Sequence, residues 1–197
     1  MCINAALAAF YVGYALVYIS TFQDFNTIIQ IYGIQVGGQD TTESVVTGCV
    51  PIGAMIGALS SSLLLKKFSR RNSFLVTNLL AIIACGICFV KLGFMILIGR
   101  VIIGICTGVF SAIVPLYINE FVPLQLKNFG TLNQVFIASA QSFAFLFYYL
   151  LTEPFGMTDE SAYNYVSNFC LITILIQSLV FLFIFPYETP KYWLEKR

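Results

Sequence analysis

Six stretches of this chain are apolar for long enough to cross a lipid bilayer, and polar breaks separate them. They lie at about 3 to 22, 43 to 65, 72 to 90, 94 to 118, 128 to 152 and 165 to 186. A hydrocarbon core about 30 Å thick takes roughly 20 apolar residues of helix per crossing. No water is present there to satisfy backbone N–H and C=O groups, so each run has to close its own hydrogen bonds as a helix. The expected fold is an all-α membrane protein, a six-transmembrane-helix bundle over 1–186 with a short tail over 187–197. A content of 59% hydrophobic and 10% charged residues excludes an ordinary soluble globule. With 197 residues, little chain is left over for a soluble domain. The same apolar content makes a lipid bilayer the solvent, and the net charge of +1 points to no nucleic-acid or acidic partner.

The chain has no His, no nucleophile elbow and no carboxylate pair inside an apolar run, so enzyme chemistry, a metal and a cofactor are not expected. Its six Cys fall in or beside apolar runs and read as small packing residues rather than a disulfide framework. Cys85-Gly86-Ile87-Cys88 has redox-motif spacing, but it lies in an apolar run without a second pair. The run after Met1 lacks a basic flank and a cleavage site and is read as a retained first helix. Orientation follows from Lys and Arg, which are kept on the non-translocated side. Lys66, Lys67, Arg70, Arg71, Lys127, Lys191, Lys196 and Arg197 fall on one side, eight of the ten basic residues. Both termini are therefore expected on the cytoplasmic or matrix-equivalent side, with plasma membrane and organelle membranes, the mitochondrial inner membrane included, both open.

Within the runs, Gly53, Gly57 and Ser61, and again Gly104, Gly108 and Ala112, recur every four residues. That spacing lets membrane helices approach closely. The last run, with Phe181-Leu182-Phe183-Ile184-Phe185, is apolar nearly all round and is expected to face lipid. The fifth differs, because Gln134 and Gln141 are seven apart on one face. Amides in hydrocarbon are costly unless paired, so these should face a cavity or a partner. Asn4, Tyr11, Tyr14 and Tyr18 form a similar stripe on the first helix, suited either to an aqueous cavity or to interhelical hydrogen bonds. Arg100 sits about 10 Å along the fourth helix, a depth that marks a pathway or a buried pair unless the side chain snorkels to the interface.

Gly99-Arg100-Val101-Ile102-Ile103-Gly104, followed by Pro115-Leu116-Tyr117-Ile118-Asn119-Glu120, resembles the GRxxxG and PxYxxE segment of sugar porters of the major facilitator superfamily, the facilitative glucose transporters above all. Lys66-Lys67-Phe68-Ser69-Arg70-Arg71 stands at the D-R-x-G-R-R signature, Gly130-Thr131-Leu132-Asn133-Gln134 at the GTLxQ segment, Glu188-Thr189-Pro190-Lys191-Tyr192 at the E-S-P-R-[FY] motif, and Gly13-Tyr14 at the first-helix G-Y segment. The resemblance spans the chain but only the N-terminal half of such a transporter, a bundle of two three-helix repeats that works against a second bundle. It implies a sugar contact at Gln134; Gln141, Tyr14 and Arg100 join it as candidate substrate contacts from their places on polar faces or at depth in the helices. It also implies an inner-side charge network of Arg70, Arg71, Glu120, Lys127, Glu188 and Lys191, while the four-residue spacing assigns helix packing to Gly53, Gly57, Gly104 and Gly108.

The departures shape the functional expectation. Ala15 stands where proton-coupled members carry an acid, Ser69 replaces the tight-turn glycine, and Lys66 stands where the family has Asp or Asn. Lys127 and Lys191 stand at Arg positions and cannot form the bidentate fork with a carboxylate. The expected function is a sugar-transporter-like half protein serving as a transport-incompetent accessory subunit among other membrane subunits. The alternatives are a half-transporter that pairs with itself or with a C-terminal half to move a neutral hexose or polyol, and a regulator of a full-length transporter.

Overall fold

A computed structural model describes residues 2–22, 26–34, 37–121 and 129–184. The described chain forms α1 (Cys2–Val17), α2 (Asn26–Tyr32), α3 (Gln39–Lys67), α4 (Arg70–Cys88), α5 (Gly93–Phe121), α6 (Phe129–Thr152) and α7 (Asp159–Ile184). Helices α3 to α7 are long and apolar enough to cross a membrane, whereas α1 is a shorter apolar helix of 16 residues. α5 is the centre of the bundle: 61% of its most apolar stretch is buried, against 22% in α3 and in α6. Those two helices present the open faces.

Glycine sets the α3–α5 contact. A Cβ added at Gly53 would run into the Val101 carbonyl oxygen, and one at Gly57 into that of Ile105. From the other side, Gly104 lies against the Val50 carbonyl and Gly108 against that of Ala54. The two backbones touch, which only residues without a side chain allow. Gly13 does the same between α1 and α6, against the Ile137 carbonyl. Beside the α3–α5 contact an aromatic cluster joins α1, α4, α5 and α7. Phe74 of α4 stacks on Phe181 of α7 at 5.1 Å between ring centroids and meets Phe110 of α5 at 5.4 Å, and Tyr11 of α1 meets Phe110 edge-on at 5.9 Å.

Several boundaries differ from the sequence expectation, each for a local reason. The first helix ends at Val17 rather than 22, and turns follow in which the Thr21 hydroxyl donates to the Tyr18 carbonyl at 2.7 Å. The unanticipated α2 closes at Gly33, whose φ of +64° and N–H to the Ile29 carbonyl, 2.8 Å, make a glycine C-cap. α3 begins at Gln39 behind Gly38, without a side-chain cap. α7 starts at Asp159 rather than 165, because Asp159 and Glu160 suit the positive end of a helix dipole. The expectation that α7 faces lipid is corrected for its inner part. Phe181 is buried against Phe74 and Gln177 is fully buried, while Leu182 and Phe183 are exposed. Ser69 does not behave as a defective glycine. Its φ is −63°, and its hydroxyl caps α4 by accepting from the Asn72 N–H at 3.3 Å.

Because the seam is backbone against backbone, Gly57→Ala and Gly108→Ala should each destabilise the bundle by about 1–3 kcal/mol, as overpacking does. Gly86→Ala, with open space around the site, should be neutral or stabilising by up to about 1 kcal/mol. Thermal unfolding in mild detergent checks the contrast.

Candidate functional site

The polar side chains of the bundle fall into an open set and an enclosed set. On α6, Gln134 is exposed and Gln141 half-buried, nearly in line along the helix. The neighbouring hydroxyls are spent on their own helix: Ser139 donates to the Phe136 carbonyl at 2.9 Å and Ser142 to that of Ala138 at 3.2 Å. Neither carboxamide has a hydrogen-bond partner among the described residues. Two competent amides therefore remain on an otherwise apolar face that includes the exposed Val135, Phe145, Leu146 and Tyr149.

Tyr14 and Arg100 lie inside. The Tyr14 hydroxyl donates to the Val166 carbonyl of α7 at 2.9 Å, and its ring packs on Tyr18 and Phe169. Tyr11 is also buried, its hydroxyl without a partner, and the side chain of Asn4 lies outside the described residues. Arg100 is 0% exposed. It does not snorkel: Nη1 donates to the Ala15 carbonyl at 3.4 Å, and the guanidinium lies 5.0 Å from the Tyr18 ring. Ala15 is in the last turn of α1, where carbonyls lack intrahelical partners and the helix dipole favours a cation. The arginine thus replaces a counter-ion with a helix end and a ring face. The compensation is incomplete, since Nε and Nη2 have no partner and no carboxylate pairs with the group among the described residues.

The end of the bundle nearest Arg100 is tied by side chains at the helix ends and in the loop after α4. Tyr32 of α2 donates to the Cys88 carbonyl and shares a 2.8 Å hydrogen bond with Tyr163 of α7. Burial pushes the Tyr32 hydroxyl up to about 12, against the pull of the Tyr163 hydrogen bond, so it stays protonated. Lys91 pairs with Glu160 at 3.0 Å on the surface, and Tyr148 donates to Asp159 at 3.0 Å. The opposite end carries Lys66, Lys67, Arg70 and Arg71 around the α3–α4 turn. Arg71 leaves Nε without a partner, and Arg70 is engaged. Of the other charge-network residues, Glu120 lies on α5 but its side chain is outside the described set, as are Lys127, Glu188 and Lys191 altogether.

Two buried amides were missed in the sequence. Asn78 of α4 and Gln177 of α7 are each buried with both polar atoms unpartnered. Each sits one turn from the stacked Phe74–Phe181 pair, on antiparallel helices and hence at one level. The signal was the one that exposed Gln134, a carboxamide inside an apolar run.

Long apolar helices packed through glycine, with amides on an open face and an arginine buried at depth, define a polytopic helical bundle of the transporter type. Over residues 1–197 the chain matches the family described as Sugar (and other) transporter, and it belongs to that family. It is 34% identical over 155 residues to facilitated glucose transporter member 3 of solute carrier family 2 from Homo sapiens, an alignment of 74% of this chain and 29% of that protein. For member 3 from Mus musculus the identity is 47% over 89 residues, 43% of this chain and 18% of that protein. For member 1 from Gallus gallus it is 32% over 155 residues, 74% and 30%. The fold is that of the structure of the MFS (major facilitator superfamily) proton:xylose symporter XylE bound to 6-bromo-6-deoxy-D-glucose, with a TM-score of 0.84 at 20% identity over 99% of this chain and 46% of that one. The inward open conformation of XylE from E. coli gives 0.80 at 20% identity, over 99% and 49%. The chain therefore spans about half the length of these solved transporters and 29–30% of the human and chicken relatives.

The half-compensated arginine predicts a coupling. Ala15→Asp places a carboxylate within reach of Arg100 and should raise the unfolding midpoint. In an Arg100→Met background the same change should lower it, because the acid is then buried alone. A double-mutant cycle by thermal unfolding should return a coupling of about 2–3 kcal/mol.

Proposed function

We propose that this bundle is one wall of a sugar pathway and works against a second six-helix bundle docked on the open faces of α3 and α6. In this reading α1 is the sixth crossing, the helices form two three-helix repeats, and the basic end lies on the cytoplasmic or equivalent side. The observation that carries it is the pair of unpaired carboxamides, Gln134 and Gln141, on the open face of α6. A neutral hexose or polyol is recognised by donors and acceptors of this kind, and the Tyr and Phe side chains of the same face supply an apolar floor. The names of the relatives, glucose and xylose transporters, agree with a sugar as the solute. Arg100 has Ala15, not an acid, at its nearest approach. In this reading translocation is facilitative, because no carboxylate lies at Arg100 among the described residues to carry a proton.

A second reading, an accessory subunit that holds a larger membrane assembly together without moving solute, is favoured by one specific observation. Two of the four candidate substrate residues, Tyr14 and Arg100, are turned into the bundle and bonded there. In that case the α3 and α6 faces are permanent protein interfaces.

Liposomes carrying the chain with its second bundle should take up labelled hexose saturably. Gln134→Ala should reduce uptake about five- to tenfold, the worth of one hydrogen bond, and a protonophore should leave it unchanged. Absence of saturable uptake, with the native mass in mild detergent that of a large fixed complex, would replace the transport reading by the subunit reading.

A further inference from the structure

At the basic end, α3, α4 and α5 leave a cleft of about 350 Å³ on the surface of the bundle. Its walls are Leu63, Leu64, Val76, Leu80, Ile105 and Val109. The two hydroxyls that border it are already used: Ser60 donates to the Gly57 carbonyl at 3.0 Å and Thr77 to that of Ser73 at 2.8 Å. Nothing inside the cleft recognises a polar ligand, and its walls suit a hydrocarbon chain. The rim is different. Lys67 and Phe68 close the cleft where α3 ends, with the Lys67 ammonium 6.0 Å from the Phe68 ring, and Lys66 lies next to them. Both lysines are exposed, and no carboxylate pairs with either among the described residues. From Lys67 back to Ser60 the cleft follows α3 for about 10 Å, from headgroup depth into the acyl region.

We propose that this cleft is a seat for one anionic phospholipid of the leaflet at the basic end, with an acyl chain between α3, α4 and α5 and the phosphate at Lys67 and Lys66. Charge complementarity selects the occupant. Unpaired lysines at headgroup depth attract an anionic lipid over a zwitterionic one, and the apolar walls exclude a free phosphate from the interior. The seat touches the α3–α5 seam at Ile105, whose carbonyl meets Gly57, so a bound chain packs against the contact that holds the bundle. The proposal does not depend on what the protein transports.

Native mass spectrometry of the purified full chain, released from mixed micelles containing phosphatidylglycerol or phosphatidylcholine with identical acyl chains, reads retained lipid directly. One phosphatidylglycerol should be retained in preference to phosphatidylcholine. Lys66→Gln and Lys67→Gln should each cut that preference about fivefold. Leu80→Trp, and as a second variant Val76→Phe, should fill the cleft and lower retention of both lipids, and both sites face outward and are tolerant of size. Glycerol 3-phosphate should not displace the lipid. Equal retention of the two lipids, or a preference that survives both lysine changes, would overturn the seat. Displacement by glycerol 3-phosphate, or full retention in both cleft-filling variants, would overturn the placement of the acyl chain.

Discussion

Four glycines bring the backbones of α3 and α5 into contact, and the position of every other helix follows from that approach. Lipid gives no hydrophobic reward for burying one apolar helix against another, so close van der Waals fit has to hold the pair. Carbonyl oxygens of one helix fill the space a Cβ would take on the other, at Gly53, Gly57, Gly104 and Gly108. With α5 held at the centre, α4 packs on one side through the Phe74–Phe110 contact and α1 on the other through Tyr11 and Phe110. α6 is attached to α1 at Gly13, which leaves its Gln134 face open.

The same arrangement places Arg100 in the interior and decides what it meets. A guanidinium with two unpartnered nitrogens in a membrane protein is an expensive residue. The end of α1 offers a carbonyl and a negative dipole, and Tyr18 offers a ring face, but no full counter-charge. The group ties α5 to α1, from Arg100 on one helix to the Ala15 carbonyl on the other.

The helical runs were legible because each has to span a fixed thickness, and the glycine spacing because four-residue repeats place residues on one face. Helix ends were less legible. Val17, Gln39 and Asp159 lie within runs or breaks whose hydropathy changes gradually, and their positions depend on caps and tertiary bonds such as those of Gly33 and Thr21. Amides could be recognised as costly in hydrocarbon, but not sorted. Gln134 faces outward and Gln177 inward, and the residue type does not separate them.

Sequence by itself determined the solvent, the helical class, the charge asymmetry and the family, because bilayer thickness, backbone hydrogen bonding and linear motifs are all properties of contiguous residues. Only the tertiary structure decided that Arg100 and Tyr14 point into the bundle while Gln134 stays on its open face, that Ser69 is a working helix cap, and that a lysine-rimmed cleft lies between α3, α4 and α5. The physical reason is that burial and hydrogen-bond partners are set by the rotation of one helix against another. That rotation is fixed by backbone contacts between residues some fifty positions apart, such as Gly53 and Gly104.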